Sequence, residues 1–163
     1  MRDILFFLFV VLRLNVNAQD QNAFVPNDDA KDFNFWAGNW YLVKDDNTID
    51  TTIYFKVRRS VHHAAFEEEW NGSFAIRAWD KTNNKWGFTW ISANGLFQNW
   101  DSKKVGSDWF IYKEFTVNGD TYLSRQCFIL QSNGDVIRKS EKSYDAKTWE
   151  HRFTQRLRKH GLK

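Results

Sequence analysis

Six polar residues stand in otherwise apolar, aromatic-rich stretches of the sequence and are the candidates for chemistry. They are His62, Glu68, Arg77, Arg125, Arg138 and His151, and alternation along the predicted strands places all six on the inward face. A histidine beside a carboxylate can act as a general acid or base, and an arginine can stabilise developing negative charge. The sequence carries no Ser–His–acid order, phosphate loop or paired-carboxylate motif. One hypothesis is therefore a cofactor-free lyase, isomerase or cyclase that uses His62 or His151 with Glu68 and an arginine.

The charges also support a binding hypothesis. A buried carboxylate costs several kcal/mol unless it is paired, so Glu68 needs a cation. Glu68 lies diagonal to Arg77 across a predicted Asn71-Gly72 turn, which makes these two the first pair to expect. Either the charged groups only satisfy one another, or the arginine excess leaves room for the carboxylate, phosphate or sulfate of a small amphipathic ligand.

Aromatic residues are the compositional outlier, with 15 Phe, 9 Trp and 5 Tyr in 163 residues. Side chains alternate between the two faces of a strand, which predicts inward walls of Trp79, Trp86, Trp90 and Trp100. Such tryptophans can fill a core, stack on a planar ligand or stack on a sugar. The predicted ligand-binding set is Trp40, Arg77, Trp79, Trp86, Phe88, Trp90, Trp100, Arg125 and Arg138.

The sequence gives little support for a metal or haem site. Adjacent His62 and His63 point to opposite faces of a strand and cannot converge on one ion without a bulge. Haem held by His62 or His151 is compatible with an aromatic pocket, but nothing in the sequence specifies it. We expect neither a metal nor a cofactor.

The elements that must position these residues are short strands rich in β-branched and aromatic residues, separated by Asn, Asp and Gly turn signals. No segment has helical periodicity. This pattern predicts an all-β protein, an up-and-down antiparallel barrel of about ten strands wide enough for a cavity, with a two-sheet sandwich as the alternative. A short helix within 24–37 is predicted to plug one end. The predicted strands are 38–44, 49–57, 60–70, 73–79, 85–92, 95–101, 108–117, 121–131, 135–143 and 148–158.

Length and charge limit the partners. A formal charge of +3 with interspersed basic residues disfavours nucleic acid. Residues 1–18 have an apolar run too short to span a membrane and end in Val16-Asn17-Ala18, which predicts a signal peptide rather than the alternative, a retained anchor. We expect a secreted or periplasmic monomer without stable membrane insertion, with residues 19–37 as a plug segment and 38–163 as the barrel.

The stretch 32–40, DFNFWAGNW, resembles the FDFWxGxW-like opening of a family of secreted bacterial lipocalin-like proteins of unassigned function. The similarity continues through 68–72, 79–90, Arg125 and 145–149, and covers nearly all of 32–159. The sequence departs from that family's pattern at four positions, Asn34, Phe88, Arg138 and Ser140.

The wider calycin group shares a more general feature. Gly38-x-Trp40 on the first strand resembles its arrangement in which an arginine of the last strand, here Arg156 or Arg158, packs over the tryptophan and closes the barrel. The resemblance implies a fold and by itself no function.

Overall fold

A computed structural model describes residues 26–61 and 64–160, which form one short helix and a closed barrel of ten antiparallel strands. The predicted fold class is confirmed. The elements are α1 (Asp28–Lys31), β1 (Gly38–Val43), β2 (Ile49–Ser60), β3 (Ala65–Trp70), β4 (Ser73–Asp80), β5 (Lys85–Ile91), β6 (Phe97–Val105), β7 (Asp108–Val117), β8 (Asp120–Leu130), β9 (Val136–Ser143) and β10 (Glu150–Lys159).

Strand order around the barrel follows the chain, and β1 pairs with β10 to close it. The closing register places Trp40 opposite Lys159 and Val43 opposite Arg156. Closure gives every strand two neighbours and leaves no sheet edge exposed. The two-sheet sandwich that the sequence also allowed is therefore wrong.

Asn-Gly pairs make two of the hairpin turns that the sequence predicts. Asn71 and Gly72 have φ of 37° and 80°, and Asn118 and Gly119 have φ of 54° and 90°. Two consecutive residues at positive φ match the right-handed twist of the flanking strands. The first of these turns sets the β3–β4 register, which places Glu68 opposite Ala75.

The largest boundary difference lies between β2 and β3. The sequence predicts a strand over 60–70, whereas β2 continues to Ser60 and β3 begins only at Ala65. Val61 adopts a φ of 45°, which interrupts the extended conformation and reverses the chain there.

The segment around α1 closes one end of the barrel, here called the closed end, as predicted for 24–37. Asn27 caps the helix by accepting a hydrogen bond from the Ala30 backbone N–H. Phe33 and Trp36 follow the helix and are 2 % and 0 % exposed, because they insert among the barrel's inward side chains. The opposite end, where the Asn71-Gly72 and Asn118-Gly119 turns lie, is called the open end.

Indole N–H groups of the barrel fasten this plug. Trp86 donates to the Asp29 carbonyl at 3.1 Å, and Trp109 donates to an Asp32 carboxylate oxygen at 2.7 Å. Lys104 forms ion pairs with the Asp29 and Asp32 carboxylates. Buried indole groups thus find partners in the plug, which fixes its position.

The residue over the first-strand tryptophan differs from the expectation. Lys159, rather than Arg156 or Arg158, lies over Trp40, with its Nζ 5.2 Å from the ring centroid and 3.0 Å from the Phe35 carbonyl oxygen that accepts its hydrogen bond. Alternation along β10 explains this, because Lys159 points inward and the two arginines point outward.

The described residues contain no helix long and apolar enough to cross a membrane. The predicted signal peptide, residues 1–18, lies outside the described residues.

Candidate functional site

A cavity of about 240 Å³ opens inside the barrel between its middle and the open end. The residues around it come from strands β3, β5, β6, β8 and β9, and nearly all follow the alternation that points a side chain inward. They are Glu68, Trp70, Phe88, Trp90, Gln98, Trp100, Gln126, Phe128 and Arg138.

The cavity has two chemically different sides. Strands β3, β5 and β6 supply an aromatic wall, here defined as Trp70, Phe88, Trp90 and Trp100. Its rings contact edge to face, with centroids 6.1 Å apart for Trp70 and Trp90 and 6.4 Å apart for Phe88 and Trp100. Strands β8 and β9 supply Gln126, Phe128 and Arg138, and the Arg138 guanidinium carbon lies 5.3 Å from the Trp70 ring centroid. A planar apolar group would find rings on one side and hydrogen-bond donors on the other.

Glu68 lies at the inner end of the cavity and is 0 % exposed. Its Oε1 accepts hydrogen bonds from Trp36 Nε1 at 2.9 Å and Arg77 Nε at 3.0 Å, and its Oε2 accepts one from Trp70 Nε1 at 3.2 Å. The predicted pairing of Glu68 with Arg77 is present in the structure. Because one donor belongs to the plug and the other two to β3 and β4, the Glu68 carboxylate connects the plug to the barrel wall.

Arg77 is enclosed by aromatic rings. Its guanidinium carbon lies 4.5, 4.8 and 4.8 Å from the centroids of Phe33, Phe88 and Phe128. Within the described residues, its two Nη atoms are buried and have no hydrogen-bond partner, so cation–π contacts take the place of oxygen acceptors. Burial lowers the pKa of Arg77, and the adjacent Glu68 carboxylate opposes that shift.

Arg138 is the cation that faces the cavity. Its Nε and Nη2 donate to Gln126 Oε1 at 3.0 and 2.7 Å, and its Nη1 donates to Gln155 Oε1 at 3.0 Å. Burial lowers the pKa of Arg138 to about 10, so the group stays protonated at neutral pH. Among the described residues around Glu68, that carboxylate carries one negative charge against the two positive charges of Arg77 and Arg138. The neutral side-chain amides of Gln126 and Gln155 accept the hydrogen bonds of Arg138. Among the described residues, no carboxylate forms an ion pair with it.

Five of the residues predicted to bind or react lie on this cavity: Glu68, Phe88, Trp90, Trp100 and Arg138. Three tryptophans of the predicted ligand-binding set do not line it, and two of them, Trp79 and Trp86, were predicted wall residues. Trp40, Trp79 and Trp86 face inward but pack at the closed end, where Trp40 donates to the Trp36 carbonyl and Trp79 contacts the Trp109 ring. The predicted wall positions of Trp79 and Trp86 are wrong because the plug, which strand periodicity does not locate, fills that end of the barrel.

Arg125 lies on the outer face of the barrel, so the prediction that it points inward is wrong. Its guanidinium stacks on the Trp149 ring at 3.9 Å and pairs with Glu141 at 2.5 Å. Arg125 alternates along β8 with Gln126 and Phe128, which line the cavity, so it shares the opposite face with the buried Cys127. Cys127 is buried on the other side of the sheet.

The histidines do not meet Glu68 in the described structure. His151 is exposed, with Nε2 3.0 Å from Thr154 Oγ1, because a β-bulge between His151 and Phe153 breaks the alternation that predicted an inward side chain. His62 lies outside the described residues. Among the residues described, no cluster of three or more His, Cys, Asp or Glu side chains is placed to hold a metal ion.

Four cavity residues were missing from the predicted site: Trp70, Gln98, Gln126 and Phe128. Trp70 shares a strand face with Glu68, so alternation alone identifies it. Alternation also identifies Gln126 and Phe128 once the inward-facing residues of β8 are assigned correctly. Gln98, next to Trp100 on the same face of β6, carries no distinguishing signal of its own.

Comparison with known proteins adds no further assignment, since no protein-family model and no curated protein matches the chain.

Proposed function

We propose that the protein binds a small planar molecule with a negatively charged group, holding its ring against the aromatic wall and its anion at Arg138. The observation that carries the proposal is the position of Arg138. This half-buried guanidinium lines the same cavity as the aromatic wall, lies 5.3 Å from the Trp70 ring centroid, and donates hydrogen bonds to the neutral amides Gln126 and Gln155. A carboxylate that enters the cavity would supply the charge that the interior lacks.

The size of the cavity limits the ligand to one small ring system. A cavity of about 150 Å³ holds benzene, and drug-sized ligands occupy roughly 300–1,000 Å³. The 240 Å³ here lies between these values. It matches a substituted benzene or indole better than a tetrapyrrole or a long fatty acid.

A closed barrel with a plugged end and an internal cavity fits a lipocalin-like carrier, and we extend the proposal to a secreted or periplasmic monomer. The leader-like residues 1–18 support this location. Intact mass of the exported protein tests it. A chain beginning at Gln19 is expected, and a full-length exported chain would contradict cleavage.

Replacing Arg138 by Gln is expected to weaken benzoate binding at least tenfold while changing the affinity for the neutral analogue benzamide less than threefold. The physical reason is the loss of a charge-assisted hydrogen bond in a desolvated site. Titration calorimetry with quenching of tryptophan fluorescence measures both ligands.

Arg58→Gln is the matched control, because it removes the same charge from an exposed side chain that lies 3.5 Å from Glu69. It should leave both affinities unchanged. Equal loss of benzoate binding in Arg138→Gln and Arg58→Gln would contradict the assignment of the anion to Arg138, and absence of any binding by the unmodified protein would contradict the proposed function.

A further inference from the structure

A row of polar residues crosses the inner face of β7, β8 and β9 near the open end, beyond the cavity. Ser124 pairs directly with Lys113 on one side and with Lys142 on the other. Ser124 shares its strand face with Gln126, which lines the cavity, so alternation places all three side chains of this row on the inner wall. The mouth of the barrel is therefore basic on the wall that carries Arg138.

A third cation reaches the same serine from β10. Arg152 Nη1 donates to Ser124 Oγ at 3.1 Å, and its guanidinium lies 5.8 Å from the Tyr122 ring. The β-bulge between His151 and Phe153 lets Arg152 turn toward this wall. Arg152 thus contacts the fully buried Ser124 hydroxyl, while Lys113 and Lys142 flank Ser124 on the two neighbouring strands and Lys142 Nζ donates to Tyr144 Oη at 3.2 Å.

The acids near this cluster do not neutralise it. Lys142 pairs with Glu150 at 3.3 Å. Within residues 26–61 and 64–160, neither Lys113 nor Arg152 pairs with a carboxylate. Three positive charges face one negative charge, which leaves a surplus of two.

A second buried hydroxyl lies between this cluster and Arg138. Ser140 is 0 % exposed and pairs with Gln126 across β8 and β9. Among the described residues its Oγ has no hydrogen-bond partner. An unpaired buried hydroxyl costs stability unless another group completes its hydrogen bond.

We propose that Lys113, Lys142 and Arg152 around Ser124 form a second anion site at the mouth of the barrel, and that the ligand is an aromatic molecule with an acidic group at each end. This inference rests on the proposed function, since the first acidic group occupies the site at Arg138. The second group is a carboxylate, sulfonate or phosphate that faces the three cations.

The spacing of the two sites suits such a ligand. Ser124 lies two residues along β8 from Gln126, which accepts from Arg138, and two residues of a strand span about 7 Å. A single benzene ring with substituents at opposite positions covers a span of that order. On β9, Ser140 lies between Arg138 of the first site and Lys142 of the second.

Comparing benzoate with 4-sulfobenzoate tests the second site. The unmodified protein is expected to bind 4-sulfobenzoate at least tenfold more tightly than benzoate, measured by calorimetry at a fixed ionic strength of about 0.15 M. Lys113→Gln combined with Lys142→Gln should abolish this gain and leave benzoate affinity within about twofold. Inorganic sulfate should compete with 4-sulfobenzoate more effectively than with benzoate.

The matched control combines Lys103→Gln with Lys139→Gln, which removes two charges from exposed positions on the outer face. It should retain the preference for 4-sulfobenzoate. Equal affinities for the two probes in the unmodified protein, or equal loss in both double variants, would overturn the second site while leaving benzoate binding, and so the proposed function, intact. Failure of benzoate itself to bind would instead contradict the proposed function.

Discussion

Replacing Glu68 by Gln is expected to lower the free energy of unfolding by about 3–5 kcal/mol, the usual cost of leaving one member of a buried ion pair unpaired. The charge of Arg77 would then be buried among three phenyl rings with no anion beside it. The carboxylate also accepts from Trp36 and Trp70, whose N–H groups would compete for the single amide oxygen of the new residue. Urea unfolding followed by circular dichroism measures the change.

Two further variants keep this prediction testable if the single variant is too unstable to study. Removing both charges with Glu68→Gln and Arg77→Met should recover most of the lost stability, because the uncompensated cation disappears. Glu69→Gln is the control, since Glu69 is exposed and its pairing with Arg58 contributes little. A cost below about 1 kcal/mol for Glu68→Gln, equal to that of the control, would contradict a structural role for the pair.

Replacing Trp36 by Ala should cost about 3–5 kcal/mol, as expected for deleting a fully buried large aromatic side chain. Its ring centroid lies 4.9–5.5 Å from those of Trp40, Phe55 and Phe128, so truncation would leave a hole at the closed end. The indole also donates to Glu68, which joins the plug to the buried ion pair. Thermal and urea unfolding report the loss.

Trp36→Phe separates packing from hydrogen bonding. It keeps an aromatic ring but removes the N–H, so its expected cost is lower, about 1–3 kcal/mol. If Trp36→Ala unfolded with the same midpoint as the unmodified protein, the segment after α1 would contribute nothing to the barrel, and the account of the closed end would be wrong.

The fold can be predicted from local sequence patterns, namely the turn residues and the strand alternation. Turn residues such as Asn71-Gly72 and Asn118-Gly119 delimit the strands, and the strand count requires closure once exposed edges are disfavoured. Alternation also placed Glu68 and Arg77 on one face across a hairpin. These features depend on residues adjacent in the chain or across a tight turn, where the physical constraints are local.

The parts of the site that the sequence did not predict depend on contacts between distant segments or on interruptions of the strand alternation. The bulge between His151 and Phe153 turns His151 outward, although alternation holds from Phe153 onward. On β8 the inward residues are Gln126 and Phe128, which leaves Arg125 on the outer face. The plug packs against the inward tryptophans of the closed end and leaves those nearer the open end to line the cavity. Trp86 is therefore a packing residue and Trp90 a cavity residue, although both lie on one face of β5. None of these structural features can be recognised from the residues of a single strand.

The central claim is that Arg138 and the aromatic wall hold an acidic ring inside the barrel. A crystal structure of the protein soaked with 4-bromobenzoate tests this directly, because anomalous scattering locates the bromine independently of the refined coordinates. The account predicts bromine within the barrel, a ring against Trp70, Trp90 or Trp100, and a carboxylate within 3.2 Å of an Arg138 nitrogen. An empty cavity with bromine only on the outer surface, or a ring bound with its carboxylate turned away from Arg138, would contradict it.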